Sequence, residues 1–196
     1  MEEIMKTLII LAHPCEDSFN RAICDEVKQH LEYKKHDVKI RDLYKLKFDP
    51  VLKEDNYSSF YQTELPKDIK EEQDYITWAE NLVMIFPTWW NGMPAMLKGY
   101  IDRVFTNGFA FRFTKGESEG LLKEKKAVVF QTTGQPEDIM KPNQLVSSME
   151  TIVDVGILDY CGLDVITHKF FFSVQHINKE AREVMLKEVN GIVDIL

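Results

Sequence analysis

The stretch NLVMIFPTWWNGMPAMLKGYIDRVF, Asn81 to Phe105, decides the fold. Its first residues are continuously apolar, the pattern of a strand buried on both faces. Pro87 closes the run and TWWNG follows as a turn. Pro94 then sits where a helix begins, and an amphipathic segment runs on to Phe105. A buried strand that hands directly into an amphipathic helix is half of a βαβ unit.

The same alternation extends in both directions. KTLIILAHP reads as a first buried strand ended by Pro14, followed by a helix with Phe19, Ala22, Ile23, Val27 and Leu31 at helical spacing and Asp17 or Ser18 as cap. DVKIRDL alternates and is a second strand; Tyr44 to Leu65 is aromatic and irregular; a helix starts at Pro66. Beyond the central unit, KAVVFQTT is a fourth strand, a helix is expected over Asn143 to Tyr160, DVITHKFFF is a fifth strand, and NKEAREVMLKEVNGIVDIL closes the chain as a helix. The pattern predicts an α/β domain spanning 1–196: a doubly wound, five-stranded parallel sheet in the flavodoxin-like order 2-1-3-4-5. FTKGESEG, Phe113 to Gly120, reads as a polar loop.

Composition limits the partners. The 196 residues carry a formal net charge of -8, and their basic clusters are short and broken, so nucleic acid is not expected. The three cysteines, Cys15, Cys24 and Cys161, are odd in number and far apart, which excludes a disulfide framework. The start of the chain lacks the basic, long-apolar pattern of a secretory signal, and no apolar run reaches membrane-spanning length. A cytoplasmic protein without membrane insertion is the expectation.

Ligands of such sheets bind beyond the carboxyl ends of the strands, where the strand order reverses. Three loops converge there. HPCEDSFN, His13 to Asn20, leads into a helix N-terminus, whose free N–H groups suit an anion, with Ser18 and Asn20 as added donors. It has neither GxGxxG nor GxxxxGK[ST], which fits a single phosphate held without metal; Ser18 as a plain helix cap is the other reading. PTWWNG, Pro87 to Gly92, offers two indoles as a stacking wall, with Gly92 allowing close backbone approach. The alternative is Trp90 in the core and Trp89 at a subunit interface. TTGQ, Thr132 to Gln135, offers hydroxyls and amides to the polar edge of a heteroaromatic, although an ordinary strand end would look alike. A phosphate pocket, an aromatic wall and an amide-lined rim describe a flavin mononucleotide site.

With AHPCEDSFNRAI, FDPVL, FPTWWNGMPAMLKGYIDRVFTNGFAF, GLLKEKKAVVFQTTG and CGLDV in this order, the chain resembles the flavodoxin-like NAD(P)H:quinone oxidoreductases, the diaphorase family and its bacterial relatives. The resemblance implies a homodimer with flavin at the subunit interface. It assigns His13, Ser18, Phe19 and Asn20 to the phosphate and ribityl chain, Thr88, Trp89, Trp90 and Asn91 to the ring, and Thr132, Thr133, Gly134 and Gln135 to its other edge. FAFRF, with Phe109, Phe111 and Phe113, corresponds to a segment that walls the catalytic cavity. Gln135 stands where well-known members have a second glycine. Their tyrosine and histidine charge relay has no counterpart in PEDIMKPNQ, and their C-terminal extension toward adenine has no equivalent, which favours FMN over FAD.

The activity so implied is transfer of two electrons, as hydride, from NADPH or NADH through FMN to a quinone or another flat electrophile, in a ping-pong cycle. The alternatives are an ancillary subunit of a potassium-efflux system and a flavodoxin-type electron carrier. Among remaining residues, His168 is expected to be structural, Cys15 an inert loop thiol or a redox sensor, and Asp102 with Arg103 a structural ion pair or a substrate contact. Arg112 and Lys115 are candidates for the extra phosphate of NADPH.

Overall fold

The computed structural model describes residues 4–53, 65–114 and 116–196. Five strands form one parallel sheet: β1 (Lys6–Leu11), β2 (Asp37–Asp42), β3 (Asn81–Pro87), β6 (Lys126–Thr132) and β7 (Asp164–Phe171). Their order is β2-β1-β3-β6-β7, so counting only the sheet's own strands gives the expected 2-1-3-4-5. The two intervening strands, β4 (Phe111–Thr114) and β5 (Glu117–Gly120), form a separate antiparallel hairpin where a loop was expected.

The apolar strands are continuous because both faces are covered. Leu8, Ile10, Leu82, Met84, Phe86, Ala127 and Val129 pack on one side with α2 (Lys67–Trp78) and α3 (Ala95–Val104). Ile9, Leu11, Val83, Ile85, Val128 and Phe130 pack on the other with α1 (Phe19–Tyr33) and α6 (Lys179–Val193). Successive side chains of a strand point to opposite faces, so each strand serves both cores.

The helix expected from Asn143 to Tyr160 is built from unlike parts. Within it α5 (Leu145–Glu150) is short, and Thr151–Leu158 is wound as a π-helix before the 3₁₀ turn Asp159–Cys161; a separate single turn, α4 (Glu137–Met140), precedes it. π winding is rare and tends to occur at functional sites. Its apolar residues keep a helix-like spacing, so the change of winding is invisible in the sequence.

Close backbone approach explains why FDPVL belongs with α3. A Cβ on Gly99 would lie 2.1 Å from the Pro50 carbonyl oxygen, so only glycine lets the 48–53 segment cross the helix there. Arg103 Nη1 donates to the Asp49 carbonyl at 2.7 Å and pairs with Asp68 at 2.8 Å, while Asp102 pairs with Lys98. The expected Asp102–Arg103 pair is therefore not formed: neighbours in a helix point in different directions.

Candidate functional site

The strand order sends the chain leaving β1 and the chain leaving β3 to opposite faces of the sheet, which opens a crevice between them. The three loops meet there. Asn20 Nδ2 donates to Thr132 Oγ1 at 2.9 Å, joining the first loop to the third. The Thr88 N–H donates to the Thr132 carbonyl at 2.6 Å, joining the second to the third. The His13 ring lies 6.2 Å from Trp89, centroid to centroid and tilted 55°, joining the first to the second.

In the first loop Ser18 caps α1, accepting from the Arg21 N–H at 3.1 Å. The capping reading of Ser18 thus holds. The N–H groups of Phe19 and Asn20, the first residues of the helix, have no partner within it. The Phe19 ring packs edge-on against Phe171, 5.9 Å away, in the core rather than toward the crevice. Asn20 is buried, and its Oδ1 has no hydrogen-bond partner. His13 Nδ1 lies 3.1 Å from the Cys15 N–H and 3.3 Å from the Cys15 carbonyl, so the Cys15 backbone holds that side of the ring. Burial pushes the His13 imidazole below its ordinary value, against the smaller opposing effect of the Cys15 backbone. The shift favours the neutral ring.

In the second loop Trp89 and Gly92 exchange backbone hydrogen bonds at 2.9 and 3.1 Å around Trp90-Asn91. Both central residues are left-handed, φ 51° and 55°, as a type I′ turn requires. The unusual backbone thus falls on Trp90 and Asn91, not on Gly92, where an added Cβ would meet only the Trp89 carbonyl at 3.9 Å. Trp90 is fully exposed, which overturns the alternative of a core residue; Trp89 is 40% exposed.

In the third loop Thr132 and Thr133 are buried. The Gln135 N–H donates to Thr133 Oγ1 at 2.9 Å, forming a tight side-chain turn around Gly134. Gln135 is exposed. Pro87, the last residue of β3, is buried and in register with Thr132.

Two cavities meet at the π-helix, and the smaller of them reaches the tryptophan loop; the residues that line them were mostly not singled out in the sequence. The larger, about 340 Å³, is lined by Ile101, Phe105, Phe111, Ile157 and Tyr160 among others. Phe111 packs on Tyr160 there, ring centroids 5.4 Å apart and tilted 54°, whereas Phe109 packs against the core and Phe113 is half exposed on β4. The smaller, about 160 Å³, is bounded by Asn91, Gly92, Met93, Gln131, Met149 and Ile157. Ile157, on the π-helix, lines both. Arg112 is exposed on β4, and Lys115 lies outside the described residues.

The thiols divide cleanly. Burial pushes Cys24 and Cys161 up to about 12, while Cys15 is exposed. Titration of the native protein with a disulfide reagent should modify Cys15 alone, and denaturant should release the other two. Reaction of Cys24 or Cys161 without denaturant would contradict their packing.

A parallel sheet in this order, with three loops drawn together at its switch point, defines the flavodoxin-like class of α/β proteins. Residues 5–192 match the family model described as flavodoxin-like fold. The chain is 36% identical over 184 residues to an NAD(P)H oxidoreductase of Haemophilus influenzae, covering 93% of this chain and 91% of that protein. It is 31% identical over 206 residues to NAD(P)H dehydrogenase (quinone) 1 of Cavia porcellus, covering 95% and 75%. The NAD(P)H:quinone oxidoreductase structure from Methanothermobacter marburgensis superposes with a TM-score of 0.86 at 28% identity, covering 96% of this chain and 94% of that one. The chain belongs to the flavodoxin-like NAD(P)H quinone oxidoreductase family.

Proposed function

We propose that the protein is an FMN-dependent NAD(P)H:quinone oxidoreductase, with the flavin held by the three loops. The observation that carries this is Asn20. It sits at the N-terminus of α1, is tied to Thr132 of the third loop, and keeps one buried acceptor without a donor. A ribityl hydroxyl is the kind of donor that this oxygen lacks, and the free N–H groups of Phe19 and Asn20, with the neutral His13, suit a phosphate. Trp89 offers an aromatic surface, and Thr88, Thr132 and Gly134 offer polar groups to a ring edge.

When bound, the flavin supplies two-electron hydride chemistry; the chain supplies position, hydrogen bonding and exclusion of water. Nicotinamide and quinone use the same open face in turn, a ping-pong order. The apolar residues beside that face carry the homodimer reading. Trp90, Ile152, Val155 and Tyr160 are exposed, and Ile152 and Tyr160 each line one of the two cavities that meet at Ile157 of the π-helix. A second copy of the chain would cover them and close the site. The described residues contain no helix long and apolar enough to cross a membrane, and we read the protein as cytoplasmic.

Initial rates with NADPH and menadione varied together should give parallel double-reciprocal lines. Intersecting lines would require both substrates to be bound at once and would remove the ping-pong order. Trp90→Gly supplies a second check. Trp90 makes no contact that its full exposure leaves to lose, and glycine relieves its left-handed backbone, so stability should hold or rise by about 1 kcal/mol. FMN affinity and dimerisation should both fall. Unchanged affinity and sedimentation would show that the indole touches neither flavin nor partner.

A further inference from the structure

His168 was expected to be structural, yet it is the middle of a hydrogen-bonded chain that ends in the site. Its side chain is 2% exposed. Nδ1 lies 2.8 Å from Asp154 Oδ1 on the π-helix, and Nε2 lies 3.0 Å from Gln131 Oε1 on β6. Gln131 is fully buried, and its Nε2 donates to Thr88 Oγ1 at 2.7 Å, with Met149 Sδ at 3.2 Å. Four side chains therefore run without a gap from Asp154 to the tryptophan loop.

Both ring nitrogens face oxygen, and this has a chemical consequence. A carboxylate and an amide oxygen are both acceptors, so the arrangement is satisfied by the imidazolium, which donates from both nitrogens. Gln131 then gives its NH₂ to Thr88 Oγ1, and the Thr88 hydroxyl is left to donate outward. The neutral ring keeps Nδ1–H on Asp154 and presents Nε2 as an acceptor. Gln131 meets it by turning its amide over, which leaves the outline of the side chain unchanged. Its NH₂ now donates to Nε2, its oxygen accepts the Thr88 hydroxyl, and Thr88 offers only lone pairs outward. One proton on a buried ring reverses the hydrogen-bond polarity of a hydroxyl two side chains away.

We propose that His168, acting through Gln131, sets whether Thr88 meets a bound ligand as a donor or as an acceptor. His168, Asp154 and Gln131 are positioning residues in this account, and the proposal rests on the FMN reading of the site. The charges around the ring are few. Asp154 faces it from the π-helix and Gln131 from β6, while Met149 of α5 meets Gln131. Phe170 stacks on it at 4.5 Å. The neighbouring Lys169 is paired with Glu188 of α6, on the opposite face of the sheet. A ring with one carboxylate and one reversible amide as its polar contacts is built to hold either protonation state.

The test has two arms. In the protein without flavin, ¹⁵N NMR of the His168 ring over a pH series should show Nδ1 protonated throughout and Nε2 as the nitrogen whose protonation changes. In parallel, the FMN dissociation constant is measured for the wild type, Thr88→Val and Gln131→Leu over the same range. The variant-to-wild-type ratio cancels the titrations of the phosphate and of His13, which all three share. That ratio should change at least threefold across the His168 midpoint. Asp154→Asn should move the midpoint to lower pH, and the change in wild-type-like affinity should move with it, which a merely structural role would not produce. A ratio constant with pH overturns the proposal, as does a ring that keeps one charge state throughout; if Gln131→Leu fails to fold, Thr88→Val alone decides. Failure of the wild type to bind FMN at any pH removes the FMN reading and this inference with it, whereas binding with a flat ratio removes the inference alone.

Discussion

Asn20→Asp should weaken FMN binding on the order of 100-fold while leaving the fold intact. The substitution keeps size and shape; Asn20 Nδ2 now donates to Thr132 Oγ1 at 2.9 Å, and in the variant the Thr132 hydroxyl turns to donate to the carboxylate instead. A negative charge in the first turn of α1 is also favoured by the helix dipole. The same position that welcomes an aspartate rejects a phosphate, since both compete for the same N–H groups. Two like unit charges a few ångströms apart cost about 3 kcal/mol at a near-surface dielectric, which corresponds to an affinity loss on the order of 100-fold. Riboflavin, which has no phosphate, is the control and should lose far less. Equal losses for both ligands would mean that the phosphate is not at α1.

The second large effect lies away from the loops, in the clamp that holds α2 and α3 against β2. Glu72 of α2 is almost fully buried; it accepts from Arg41 Nε at 3.0 Å through each oxygen and from Tyr100 of α3 at 3.2 Å. Burial, and then the Glu72 carboxylate, hold the Tyr100 hydroxyl well above its ordinary value, so it remains a donor. Arg41→Met removes the only cation that touches this carboxylate among the described residues. Leaving a buried charge without its partner costs about 3–5 kcal/mol. The urea midpoint should fall accordingly, and thermal unfolding should come roughly 6–20 °C earlier for a chain of this size. Adding Glu72→Met should recover most of the loss, because the orphaned charge is then gone. An unchanged midpoint in the single variant would mean that water reaches Glu72 and that the clamp is not dry. Since α3 carries the tryptophan turn at its N-terminal end, FMN affinity should be affected only as far as folding is.

The sheet was legible because strands covered on both faces must be apolar at every position, and NLVMIF and KAVVFQ have no other comfortable place. The topology followed from the alternation with helices, and with it the meeting of the three loops. What escaped depends on contacts distant in sequence. The hairpin β4–β5 is polar and exposed along FRFT and ESEG, so it lacks a strand's burial pattern. It is held instead by the Phe113 N–H donating to Asn107 Oδ1 and by a backbone crossing at Gly120, where a Cβ would lie 2.4 Å from the Gly162 nitrogen. Gly92 was singled out for close backbone approach, whereas the left-handed backbone of the turn falls on Trp90 and Asn91. Asparagine tolerates that region, and the turn's backbone bonds to Trp89 and Gly92 carry the tryptophan with it. His168 read as an ordinary strand residue because its partners Asp154 and Gln131 stand 14 and 37 positions away. No local signal announces such a chain. A buried glutamine within an otherwise apolar strand, KAVVFQ, was the one visible irregularity.

An anaerobic titration of the FMN-loaded protein with NADPH, and separately with NADH, followed by absorbance near roughly 450 nm, tests the central claim most directly. The account predicts that at least one donor bleaches the flavin band within seconds, and that menadione restores it. A band that both nicotinamides leave intact would contradict it, and would favour an electron carrier or an ancillary efflux subunit over an oxidoreductase.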